Sequence, residues 1–138
     1  MTNGRPSPGS VYGVARGDGN RAVVERAIDL LNRHDLDAYY ACFAPDSAYR
    51  RPGPVVGPAA MRAFDEQFWD VVPDHHRHVE RMLADEDYVA AWMRVVGTHR
   101  SGSAIDIEFM YAYQLRDGRI QNVWMYFDSA EMARQLGR

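Results

Sequence analysis

The chain has 138 residues, 46% hydrophobic and 25% charged, with a formal net charge of −3. That length fits one domain holding a core and one small-molecule cavity; the acidic balance argues against nucleic acid as a partner, and no apolar run nears the roughly 20 residues that span a bilayer. All sixteen basic residues are Arg, which excludes Schiff-base chemistry and a P-loop, both of which need Lys. Cys42 is the only cysteine, so an intrachain disulfide is ruled out and a Cys-based zinc site is not expected. The N-terminus lacks the charged-then-apolar pattern of a signal peptide, and a cytoplasmic location is expected.

Residues 1–18 are rich in Gly, Pro, Ser and Asn and read as a flexible arm. A single domain then covers 19–138. A first helix is predicted from Asn20, as N-cap, to Arg33, with Val24, Ala27, Ile28 and Leu31 on one face. A short second helix follows Asp35 as N-cap, from Leu36 to Phe43, and Ala44-Pro45-Asp46 stops it. Ser47 to Arg51 reads as a short strand ended by Pro52-Gly53-Pro54. Gly57-Pro58 opens a third helix, with Met61, Phe64, Phe68 and Val71 or Val72 as its apolar stripe.

The remainder is β-rich, with strands over His75–Leu83, Val89–Thr98, Ile105–Leu115 and Ile120–Phe127. In the third of these, Ile105, Ile107, Phe109, Tyr111, Tyr113 and Leu115 alternate with polar neighbours, which marks one packed face. Asp117-Gly118 is a hairpin signal. Helices first and a strand meander after imply an α+β layer fold, with the N-terminal helices packed on a curved antiparallel sheet.

Candidate site residues cluster in the second half. Asp128 closes the last strand, and a carboxylate in an aromatic pocket can act as a base near neutral pH. The same residue reads equally as the N-cap of a final helix, with Glu131 at the third position. Asn122, Trp124 and Tyr126 alternate in phase with Asp128 and are the candidate wall and hydrogen-bond donor beside it. Tyr111 and Tyr113 are candidate oxyanion donors, and Tyr40 and Tyr49 follow the same logic. Phe109 and Phe64 are candidate substrate contacts. Arg50 and Arg51 point to opposite faces, with Arg51 expected on the exposed side. Arg94 is expected to pair with Asp106 or Glu108 across the sheet. Among His75, His76 and His78, the pair His76 and His78 shares one strand face but lacks a third ligand at suitable spacing, so no metal is expected.

The order of motifs resembles the SnoaL-like polyketide cyclase family of the nuclear transport factor 2-like superfamily. The resemblance is carried by the run from Ala27 to Ala38, by Phe43-Ala44-Pro45-Asp46-Ser47-Ala48-Tyr49, by Gly57-Pro58-Ala59-Ala60-Met61 and by Val72-Pro73-Asp74. Gly97-Thr98-His99, Asp117-Gly118-Arg119-Ile120, Trp124, Phe127-Asp128 and Gln135-Leu136-Gly137 complete it. Arg50-Arg51-Pro52 stands where relatives often carry a His-Asp-Pro-like run. The resemblance implies a cone-like fold with a deep apolar pocket. It also implies cofactor-free ring closure by intramolecular aldol chemistry, with Asp128 as the base. The expected ligand is an apolar or aromatic small molecule, the setting secondary metabolism such as antibiotic biosynthesis, and the assembly a homodimer. The fold also hosts isomerases, lyases acting as dehydratases, and epoxide hydrolases, and a noncatalytic binding or dimerisation module stays open, because fold alone does not fix function. An epoxide hydrolase would centre on Arg94 and its acidic neighbours.

Overall fold

The structure, a computed structural model, describes residues 12–51 and 53–137. Among the described residues, four helices and five strands run in the order α1 (Tyr12–Asn32), α2 (Leu36–Ala41), β1 (Phe43–Arg50), α3 (Pro58–Val71), β2 (His76–Asp85), β3 (Tyr88–Thr98), β4 (Ala104–Arg116), β5 (Arg119–Phe127) and α4 (Ser129–Gln135). The expected α+β class is observed. The sheet order is β1-β5-β4-β3-β2. Strands β2 to β5 form the antiparallel meander that their short links require, whereas β1 joins the edge parallel to β5.

Helix α1 starts earlier than the composition suggests. Of the expected arm, residues 1–11 lie outside the described residues, and 12–18 are helical. The reason is docking on the β2–β3 turn. Arg16 bridges Glu86 and Asp87 at 3.1 and 3.0 Å. Asn20, expected as N-cap, instead lies inside the helix, and its Nδ2 donates to the Glu86 carbonyl at 2.9 Å. The predicted stripe holds: Val24, Ala27, Ile28 and Leu31 are all buried.

Asp35 caps α2 as expected, its carboxylate accepting from Ala38 N at 3.1 Å. The helix ends at Ala41, and β1 begins at Phe43, four residues before the predicted strand. Pro45 is tolerated there because β1 is an edge strand and its register slips between Phe43, opposite Ile120, and Ala48, opposite Asn122. At the other edge, β2 slips register between Val79 and Arg81. The extra residue shifts the inward phase from Arg77 to Met82. Asp117 and Gly118 both take positive φ, 52° and 78°, which is the turn that closes a tight hairpin.

One face of the sheet packs under α1, α2 and α3. Val24, Leu31, Tyr49, Val89, Met93, Leu115, Ile120 and Val123 are the largest fully buried side chains of the main core. A second cluster joins Val72, Val95, Ile105, Ile107 and Leu136 beneath α4. The loop from α3 to β2 is stapled to the end of β3, with Thr98 N donating to Asp74 Oδ1 at 2.7 Å and Arg100 N to Val71 O at 2.7 Å. Gly97 permits this approach: an added Cβ would lie 2.6 Å from Val72 Cγ1 and 3.0 Å from His75 Cα. Gly97→Ala is therefore expected to destabilise by about 1–3 kcal/mol, the usual cost of overpacking, measured by urea denaturation. An unchanged midpoint would show that the loop yields freely.

Candidate active site

The centre of the site is an acid on an apolar helix face. In α3, Met61, Phe64 and Phe68 form the stripe, and Asp65 falls four residues after Met61 on that same face. Asp65 is 5% exposed. Tyr40, reaching across from α2, donates its hydroxyl to Asp65 Oδ2. Burial raises the Asp65 carboxyl above the ordinary aspartate range, opposed by the Arg77 guanidinium and by the Tyr40 hydrogen bond. A carboxylate so placed is a stronger proton acceptor than one in water.

Arg77 enters from β2, where Asn32 of α1 clamps its backbone. Asn32 Nδ2 donates to Arg77 O, and Arg77 N donates to Asn32 Oδ1, both at 2.9 Å. The guanidinium lies 5.3 Å from the ring centres of both Phe109 and Tyr111, within reach of a cation–π attraction. Its Nη1 is buried with no hydrogen-bond partner among the described residues. Burial raises the Tyr111 hydroxyl, with Arg77 opposing, so at neutral pH it is a phenol able to donate.

These side chains line a cavity of about 260 Å³. Arg51, Phe64, Phe68, Val95, Met125, Phe127, Ser129 and Met132 complete most of its wall. Arg51 turns inward rather than out: it is half-buried, and its Nε has no partner among the described residues. Arg50 takes the outer side, with its guanidinium 5.8 Å from the Trp124 ring.

Of the residues singled out from sequence, Tyr111, Phe109 and Phe64 line the cavity. Tyr40 stands behind it on Asp65. Tyr113 and Tyr49 are core residues, 3% and 2% exposed, and burial raises both hydroxyls. Asp128 is exposed and accepts from Glu131 N at 3.0 Å as the N-cap of α4. Its neighbours Phe127 and Ser129 reach the cavity wall, and Asp128 does not. Asn122, Trp124 and Tyr126 share a face, but it is the outer one. Val123 and Met125 are buried, so the alternation turns the intervening residues away. Asn122 bonds Gln114 at 2.6 Å and Arg50 at 3.2 Å there, and Tyr126 is 57% exposed.

Arg94 also sits outside the cavity, bridging Asp106 at 2.8 Å, Glu108 at 3.3 Å and Glu80 at 3.5 Å. None of these four lines the cavity wall. His76 and His78 are exposed, and among the described residues no group of three metal-ligating side chains forms. His75 is buried at the end of α3, against Trp69 at 4.6 Å and Phe68 at 4.7 Å between ring centres.

Sequence reading passed over Asp65 and Arg77. The signal for the first was present: an acid at the i+4 position of an otherwise apolar stripe. The signal for the second was an Arg in phase with the inward residues of β2, obscured by the bulge that follows.

A buried carboxylate, a guanidinium and a phenol around an apolar cavity bring together groups able to move a proton on a small molecule held there. The model of the SnoaL-like polyketide cyclase family matches residues 21–136, and the chain belongs to that family. Among solved structures it is similar to AclR of Streptomyces galilaeus, a candidate hydroxylase, with 22% identity over 88% of this chain and 97% of that one and a TM-score of 0.80. A nuclear transport factor 2-like protein of Burkholderia pseudomallei K96243 gives 19% identity, 87% and 98% coverage and a TM-score of 0.78. A candidate polyketide cyclase of Xanthomonas campestris pv. campestris gives 24% identity, 88% and 98% coverage and a TM-score of 0.75. At such identities the likeness establishes the fold. No curated protein sequence matches the chain. Among the described residues no helix is long and apolar enough to cross a membrane.

Proposed function

We propose that the protein is a cofactor-free acid–base enzyme of secondary metabolism that closes a ring in a polyketide-like substrate, with Asp65 as the base. The observation that carries this reading is the burial of one carboxylate in an apolar cavity with a neutral phenol, Tyr111, and a cation, Arg77, on the same wall. Asp65 takes a proton from carbon alpha to a ketone, and the C–H electron pair becomes an enolate. Tyr111 donates to the enolate oxygen, where donors matter most, and the Arg77 charge on the same wall favours the anion. The enolate carbon then attacks a second carbonyl of the same chain, forming the C–C bond, and the resulting alkoxide takes the proton back. Product and substrate are isomers, and the cavity contributes by holding the two ends together.

The test is mass spectrometry after incubation with aromatic polyketone intermediates in H₂¹⁸O. An isomer of unchanged mass supports the reading; gain of labelled water makes the enzyme a hydrolase, loss of water makes it a dehydratase, and unchanged ligand leaves a binding role. For assembly, a second copy of the chain is the partner we assign to the outer sheet face, where Tyr88, Trp92 and Tyr126 are 53%, 38% and 57% exposed. Sedimentation velocity should show a dimer that Trp92→Glu dissociates, and a monomeric wild type would refute it.

A further inference from the structure

The cavity carries more positive charge than proton abstraction requires. Its wall holds two guanidiniums, Arg51 and Arg77, and one carboxylate, Asp65. Among the described residues neither guanidinium forms a salt bridge. Each keeps a buried nitrogen without an acceptor, Nε of Arg51 and Nη1 of Arg77. The Phe109 and Tyr111 rings flank Arg77, but an aromatic face gives its N–H groups no lone pair in the plane of the fork. A cation that keeps a buried, open donor is costly unless an anion meets it. Arg is the side chain that best grips a planar oxyanion. The Asp65 carboxylate accepts from Tyr40 and forms a salt bridge with neither guanidinium.

We infer that Arg51 and Arg77 form an anion subsite in this cavity, and that the substrate is an aromatic compound already ionised at one oxygen acid, a carboxylate or an acidic enol. The aromatic part of the class follows from Phe64, Phe68 and Phe109, which share the wall with the two cations. The inference rests on the cavity being the substrate site, and it deepens that reading: the anion anchors one end of the ligand and presents another to Asp65. A neutral ester of the same skeleton lacks the anchor.

Binding separates this from a site that meets charge only as it develops. The probes are 2-naphthoate, its methyl ester and 2-naphthol, which is neutral at pH 7, titrated calorimetrically into the full chain. The wild type should bind the acid at least tenfold tighter than the ester or the naphthol. Arg51→Gln, at a half-buried position beyond the end of β1, should reduce that preference severalfold with the thermal midpoint retained, and Arg77→Gln should abolish it. Equal affinity for acid and ester in the wild type would overturn the inference, as would a preference that survives in both variants or no binding of any probe. Asp65→Asn keeps the two claims apart. It removes a negative charge from the cavity, so acid binding should hold or tighten. Loss of acid preference in wild type with turnover still dependent on Asp65 would sink the anion subsite alone. Persistence of the preference with turnover independent of Asp65 would sink the base alone.

Discussion

Asp65→Asn is expected to lower turnover by about 10²–10⁴-fold, the range that a positioned general base contributes, while ligand binding survives. Asn has almost the same shape, and its amide oxygen can still accept from Tyr40, so the cavity keeps its geometry. What is lost is the ability to take a proton. Asp128→Asn is the matched comparison. Asp128 caps α4 through Glu131 N, and Asn is as good an N-cap as Asp, so both stability and turnover should be retained. Single-turnover kinetics on the two variants decides the matter. The reverse pattern, with Asp128→Asn inactive and Asp65→Asn active, would move the base to the end of β5. The pH profile gives a second reading. Because burial raises the Asp65 carboxyl, activity should fall on the acid side at a pH above the ordinary aspartate range.

Acid should also unfold the protein, and His75 should set much of the slope. Its ring is 4% exposed, with neither nitrogen hydrogen-bonded among the described residues. Burial, helped by the nearby Arg77 guanidinium, pushes it down from 6.5 to about 3. The folded state thus holds His75 neutral, whereas the unfolded chain protonates it below about pH 6.5. Stability is whole above that pH and is lost as pH falls toward 3, at up to about 1.4 kcal/mol per unit. By pH 4.5 the loss reaches roughly 2–3 kcal/mol. Asp65 runs the other way: its raised carboxyl costs stability when ionised and relieves it on protonation. Replacing His75 by Phe, which suits the Phe68 and Trp69 rings beside it, should flatten the decline between pH 7 and 4.5 in denaturant titrations. Parallel declines in wild type and variant would remove His75 from the account.

Local rules made most of the fold legible. The period-2 pattern of β4, the Asp117-Gly118 turn and the Asp35 cap each follow from a few adjacent residues, and all three are observed. Non-local choices were not legible. The parallel pairing of β1 with β5 joins residues more than seventy positions apart. The start of α1 depends on Glu86, a turn residue whose carbonyl accepts from Asn20 Nδ2. The site shows the same division. Asn122, Trp124 and Tyr126 do share a face, but periodicity cannot say which face the helices cover. Asp65 was visible only as an acid in a helix, because its meaning comes from Tyr40 and Arg77 on two other elements.

The bond from Tyr40 to Asp65 divides the labour of the site in a way that bears on how relatives can diverge. Tyr40 does not line the cavity wall; it touches the carboxylate from behind, on a separate helix. Changing residue 40 therefore alters how strongly position 65 pulls on a proton while the room available to the ligand stays as it was. Changing Phe64, Phe68 or Arg51 does the opposite. With Asp65 as the proposed base, catalytic strength and ligand choice are written in different side chains, so a descendant could adopt a new substrate without rebuilding its base, or retune its base for a less acidic carbon without losing its substrate.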